Sequence, residues 1–279
     1  KTPDAPKVFF RLLIHAGRTV LPGDSVMKEL HEVGLLVALI PEFGSIVGRV
    51  QHDVYNVYTV DVHALMAVDT LRRLERGGEA GRWPTVSRLA AEAPRPEPVY
   101  LACLLHEIGK GRGADPAEIS AGLAQSIGKR LGFTDVDADH TAFLVRNQIS
   151  LYRTATQRDL HDPSVLAEVA ALAGTVERLR DLYLLNFVDL CATNPQAMTV
   201  WKARLLEELG NSVAQVIEGD EPDHSQGRVR AIRREVAVAF IGLPDQFALE
   251  AFLDDMPPRY ILANPVEVIR EHAQVAVAR

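Results

Sequence analysis

Apolar residues recur at three- and four-residue intervals along most of the chain, predicting helices near 24–38, 60–77, 98–108, 116–131, 135–151, 163–173, 176–192, 196–218, 225–241 and 264–277. No run of alternating apolar and polar positions marks a sheet, so the expected fold class is all-α. The prolines of APRPEP at 93–98 stop one helix and start the next, and ERGGEAGRWP at 75–84 reads as a loop rather than a domain linker. Within 196–218, Trp201, Leu205, Leu206 and Leu209 form an expected core-facing stripe.

Three of these stripes carry ionisable residues. In YTVDVHALMAVDTLRRL, His63 aligns with Ala67, Leu71 and Leu74. In PVYLACLLHE, His106 prolongs the row Val99, Ala102, Cys103, and Glu107 prolongs Tyr100, Cys103, Leu104. In DLYLLNFVDLCATNP, Asp189 follows Leu182, Leu185 and Asn186. An imidazole or carboxylate in apolar surroundings is costly unless paired or bound to a metal. Taken singly, each is most simply a core residue satisfied by backbone or by capping a neighbouring helix. Taken together, they make a mixed N/O donor set from three helices that suits Zn, Mn or Fe better than a thiolate-loving ion. Spacing does not choose among divalent ions, Mg included. Lys110 and Arg112 follow in the glycine-flanked turn GKGRG. They are placed either to receive phosphate oxygens or simply to solvate a loop.

The order of these elements resembles the HD superfamily of metal-dependent phosphohydrolases. IPEFGSIVGRVQHDVYNVYTVDVH, LLHEIGKGRG, LVRNQISLYRTATQRDLHDP and VDLCATNPQAMTVWKARLLEEL together resemble the uridylyl-removing domain of bifunctional protein-PII uridylyltransferases, from about Asp24 onward. That resemblance implies an HD-domain-like helical bundle that hydrolyses the phosphodiester between UMP and a tyrosine of the signalling protein PII, with glutamine as the activating signal. It implies metal ligands at His63, His106, Glu107 and Asp189, and catalytic roles for His106, Glu107, Lys110 and Arg112. Two departures stand out. Glu107 replaces the aspartate of the signature dyad, and Asn56, Pro116, Asn147 and Gln148 stand where the family usually has histidines. Proline offers no ligand and amides replace imidazole poorly, so one divalent ion rather than two is expected. The runner-up expectation is a catalytically degenerate HD scaffold that binds glutamine, nucleotide or PII.

At 279 residues, 47% hydrophobic and 24% charged, the chain has the composition of a globular cytoplasmic protein. A net charge of −7 argues against a nucleic-acid partner. Cys103 and Cys191 lie in apolar helical stretches and read as buried thiols, and no apolar run reaches the ~20 residues of a membrane span. Residues 1–23 are expected to be an arm, and 24–279 an HD-type domain with a C-terminal helical extension. The nucleotidyltransferase and ACT domains that the resemblance implies are absent from this sequence, so it reads as a piece of a larger multidomain protein.

Overall fold

The computed structural model describes residues 4–16, 25–50, 57–160, 162–194, 196–219, 224–238, 240, 249, 252–253 and 255–277. Among the described residues the fold is helices joined by turns, without a sheet, as the periodicity predicts. The helices are α1 (Ala5–His15), α2 (Val26–Glu32), α3 (Leu35–Leu39), α4 (Val60–Glu75), α5 (Pro84–Ala91), α6 (Glu97–Leu105) and α7 (Pro116–Arg130). They continue with α8 (Asp135–Arg146), α9 (Ser150–Gln157), α10 (Pro163–Ala173), α11 (Val176–Thr193), α12 (Val200–Glu218) and α13 (His224–Val238). Two helices follow at Pro258–Ala263 and Val266–Val277, and a 3₁₀ turn lies at Pro41–Ser45.

The principal core forms where α4, α6, α8 and α11 pack on one another. Helix α6 is its centre. Val99 through Leu105 are all buried, so this helix has no solvent face and reads as a continuous apolar run. Helix α11 is nearly as enclosed, with Leu182 through Val188 all buried. Trp83 packs edge-on against Phe187 with ring centroids 5.4 Å apart, closing the core between the start of α5 and α11. Helices α7 and α8 form an antiparallel-style hairpin in which the Thr134 hydroxyl caps α8 at Asp137 N.

The span expected to be an arm contributes α1, whose Phe9, Leu13 and Ile14 are in the principal core. A second apolar cluster joins Val229, Val236 and Phe240 to Leu249, Leu253, Ile261, Ile269 and Ala273 near the C-terminus. Three expectations need correction. The helix expected over 24–38 is two helices, because Gly34 at φ +76° ends α2 in a left-handed turn. The helix expected over 135–151 stops at Arg146, where the Asn147 side-chain amide donates to Phe143 O at 2.9 Å. Trp201, expected on a core face, is 60% exposed, while Leu206 and Leu209 on the same helix are buried.

Candidate metal centre

The site begins at the end of α6. The apolar run drives that helix into the core, and His106 terminates it with full burial. His106 Nδ1 lies 2.8 Å from the Cys103 carbonyl, so Nδ1–H donates to the backbone and the Nε2 lone pair is turned to the other side of the ring. The chain then turns tightly. Gly109 N donates to Ser120 Oγ on α7 at 2.8 Å, and a Cβ at Gly109 would stand 2.6 Å from Pro116 O and Ser120 N. Only glycine lets this turn sit so close to α7.

His63 arrives from the first turns of α4. That end of the helix is fastened by two contacts: Val60 N donates to Arg49 O at 2.9 Å, and Asp61 Oδ2 accepts from Gly48 N and His31 Nε2, each at 3.0 Å. Burial opposes ionisation of Asp61, but hydrogen bonds from Thr59, Gly48, Val62 and His31 hold its carboxyl below the ordinary aspartate value. Asp189 comes from α11, one turn beyond Asn186. The Asn186 side chain bridges Leu182 O (2.9 Å) and Tyr152 N (3.1 Å), fixing α11 against α9.

Three side chains meet there. His63 Nε2 lies 3.1 Å from His106 Nε2 and 2.9 Å from Asp189 Oδ1, and His106 Nε2 lies 3.3 Å from the same oxygen. Ligands about 2.0–2.2 Å from one divalent ion stand roughly 2.9–3.4 Å apart, depending on octahedral or tetrahedral angles. The three separations fall within that range. Two imidazole lone pairs and a carboxylate oxygen are the N/O donors that such an ion takes, so the residues fit a metal. Electrostatics agree with tight coupling. Burial would push Asp189 up, but the hydrogen bonds and charges of His106 and His63 hold it well below the usual carboxylate range. Burial would lower His106, yet Asp189 and Glu107 raise it. His63 Nδ1 is buried without a hydrogen-bond partner among the described residues.

The remaining sequence-predicted residues stand at the rim. Glu107 is not part of the convergent group. Its carboxylate is in an ion pair with Lys110, one turn on, which directs it along the 106–113 turn instead of into the cluster. Lys110 is therefore engaged by the Glu107 carboxylate. Arg112 is also engaged, with its guanidinium donating to Ser45 Oγ (2.8 Å) and Glu42 O (2.9 Å) of the 3₁₀ turn. Of the positions where the resemblance leads one to expect histidines, Pro116 is the first residue of α7 and Asn147 closes α8, while Asn56 lies outside the described residues. The backbone acceptor at Cys103 and the Asp61 clasp carry no periodic signal, and sequence reading missed both.

The chain has curated relatives along nearly its whole length. It is 34% identical over 278 residues to the bifunctional uridylyltransferase/uridylyl-removing enzyme of Gluconobacter oxydans, covering 98% of this chain and 29% of that protein. It is 37% identical over 243 residues to the enzyme of the same name from Thiobacillus denitrificans (87% of this chain, 28% of that protein). Against the enzyme of the same name from Pseudomonas savastanoi it is 40% identical over 183 residues (66% and 20%). The chain thus spans less than a third of the length of these relatives. No family model matches it. Among the described residues, no helix is long and apolar enough to cross a membrane.

Proposed function

We propose that this chain is the uridylyl-removing part of such an enzyme: an HD-type, metal-dependent phosphodiesterase that releases UMP from a uridylylated tyrosine, with PII as its protein substrate. The observation that carries this reading is the meeting of His63 Nε2, His106 Nε2 and Asp189 Oδ1 within 3.3 Å of one another from three separate helices. His63, His106 and Asp189 would hold one divalent ion of the Mn, Fe, Zn or Mg kind, which when bound acidifies a water and polarises a phosphoryl oxygen. The protein's share of the chemistry is orientation and proton handling. The Cys103 carbonyl keeps the His106 proton on Nδ1 and so presents Nε2 as a donor. Glu107, 13% exposed and paired with Lys110 at the rim, would serve as a proton acceptor for the attacking water only after leaving that ammonium. Buried α6, α4 and α11 exclude bulk water from the inner face of the site.

The test is metal analysis of the purified protein followed by UMP release from uridylylated PII with Mn, Zn, Fe or Mg added back. About one ion per chain and metal-dependent release are expected, both abolished in His106→Ala. Protein that takes up none of these ions, or a His106→Ala variant that still releases UMP, refutes the proposal. The degenerate-scaffold reading rests on Pro116, Asn147 and Gln148, which supply no imidazole; it predicts nucleotide or PII binding without turnover.

A further inference from the structure

Sequence reading assigned the substrate phosphate to Lys110 and Arg112, yet the structure has both cations already engaged, by Glu107 and by Glu42 O with Ser45 Oγ. A third cation lies against their turn. Arg49 is exposed, and the position a Cβ would occupy on Gly111 lies 2.1 Å from the Arg49 Cζ and Nη2 atoms. Its guanidinium therefore lies flat against the bare Cα of Gly111, itself at φ +76°, in the turn that begins with His106 and Glu107. No hydrogen bond or ion pair from that guanidinium exists among the described residues. Its backbone is nonetheless firmly held: Arg49 N donates to Ile46 O (3.1 Å), and Arg49 O accepts Val60 N at the start of the helix that carries His63.

We infer that the Arg49 guanidinium, seated on Gly111, is a further substrate-binding site that takes a nonbridging oxygen of the phosphate. This inference rests on the hydrolase reading above. Charge supports it. The 41–49 segment and the 106–113 turn carry Arg49, Lys110 and Arg112 against Glu42 and Glu107, and both Glu42 oxygens are bound by Arg130 of α7 at 2.6 and 2.7 Å. This lip is thus locally cationic in a chain of net charge −7, which attracts a phosphate diester. Geometry supports it as well: a planar fork offers paired donors that a lysine does not, and a backbone without a Cβ lets the fork lie close to the turn.

The experiment titrates UMP into wild type, Arg49→Ala, Arg49→Lys and Gly111→Ala by calorimetry, with metal content and melting temperature measured on the same preparations. Arg49→Ala should weaken UMP binding by about tenfold or more. Arg49→Lys should recover part of it, and Gly111→Ala, whose methyl displaces the guanidinium, should weaken it too. Metal content and melting of the Arg49 variants should match wild type. UMP affinity unchanged in Arg49→Ala, or no UMP binding by wild type at millimolar concentration, overturns the inference. UMP release from uridylylated PII reports separately on the hydrolase reading: active wild type with an Arg49→Ala variant of equal KM sinks Arg49 alone. An inert, metal-free wild type whose UMP binding depends on Arg49 sinks the hydrolase reading and leaves the phosphate site.

Discussion

Arg72 is a sensitive test of how the N-terminal helix is held to the helix that carries His63. It is 6% exposed, and its guanidinium donates to Leu13 O at 2.6 Å, Ile14 O at 3.3 Å and Asp69 Oδ1 at 2.7 Å. Those carbonyls belong to the last turn of α1, where a helix has no further N–H donors of its own and where the negative end of its dipole favours a cation. Arg76 extends the clasp to Ala16 O at 3.1 Å. Arg72→Met keeps most of the stem volume and deletes the donors. Each buried carbonyl stripped of its donor costs about 1–3 kcal/mol. The Asp69 pair adds little, because that carboxylate is 23% exposed and regains water. A total near 3 kcal/mol is expected, read as a lowered midpoint in equilibrium urea unfolding followed by far-ultraviolet circular dichroism. Hydrogen exchange should show α1 amides opening faster than those of α6. A loss under about 1 kcal/mol with unchanged α1 exchange would refute the clasp.

Two further outcomes follow from the structure. Gly109→Ala places a methyl 2.6 Å from backbone atoms of Pro116 and Ser120, which cannot yield cheaply; about 2 kcal/mol of stability and part of the metal affinity should be lost, and a variant that melts and loads metal like wild type contradicts this. Cys103 is buried as expected whereas Cys191 is only half-buried, yet desolvation pushes the Cys103 thiol far up and the Cys191 thiol up to about 12, so neither forms appreciable thiolate at pH 8. Ellman's reagent should therefore find no prompt thiol in native protein and both after denaturation; one fast-reacting thiol in the native state would show that the burial is misjudged.

The helical class and the core were legible because α4 and α11 are long and apolar-striped and α6 is a continuous apolar run, so an ionisable residue among those apolar positions stands out. His63, His106 and Asp189 were found that way. The same rule cannot tell Asp189 from Asp181, eight residues earlier and 1% exposed, because periodicity records burial and not what a side chain meets. Nor does it predict the direction of a side chain beyond a helix end. Glu107 continues an apolar row on paper, but α6 ends before it and its carboxylate follows the turn to Lys110. Arg49 was invisible for a related reason. Its role comes from contact with Gly111, sixty-two residues away, and the irregular stretch that carries Arg49, after the 3₁₀ turn, has no pattern that announces such a contact.

Two aspartates of α11, Asp181 buried and Asp189 with its side chain 18% exposed, separate a structural cluster from a chemical one. Asp181 divides its oxygens cleanly: Oδ2 accepts His140 Nε2 at 2.8 Å and Oδ1 accepts Arg180 at 2.6 Å, so every charge there has its complement within the protein. Such a cluster explains itself as an Arg180–Asp181 ion pair within α11 and a His140–Asp181 hydrogen bond that ties α8 to α11. At Asp189 the accounting differs. A single oxygen, Oδ1, faces both imidazoles, and the imidazole nitrogens face each other at 3.1 Å. With the His106 proton on Nδ1, the Nε2 lone pair of His106 and the anionic Asp189 oxygen face each other at 3.3 Å, an arrangement that repels unless a His63 Nε2 proton or a cation lies among the three groups. A proton can bridge only one of the three contacts at a time, whereas a divalent ion answers all three. The carboxylate–imidazole pairing that stabilises a core is already present at Asp181 and needs no second histidine. The added histidine at Asp189 is what gives the site a metal's donor set.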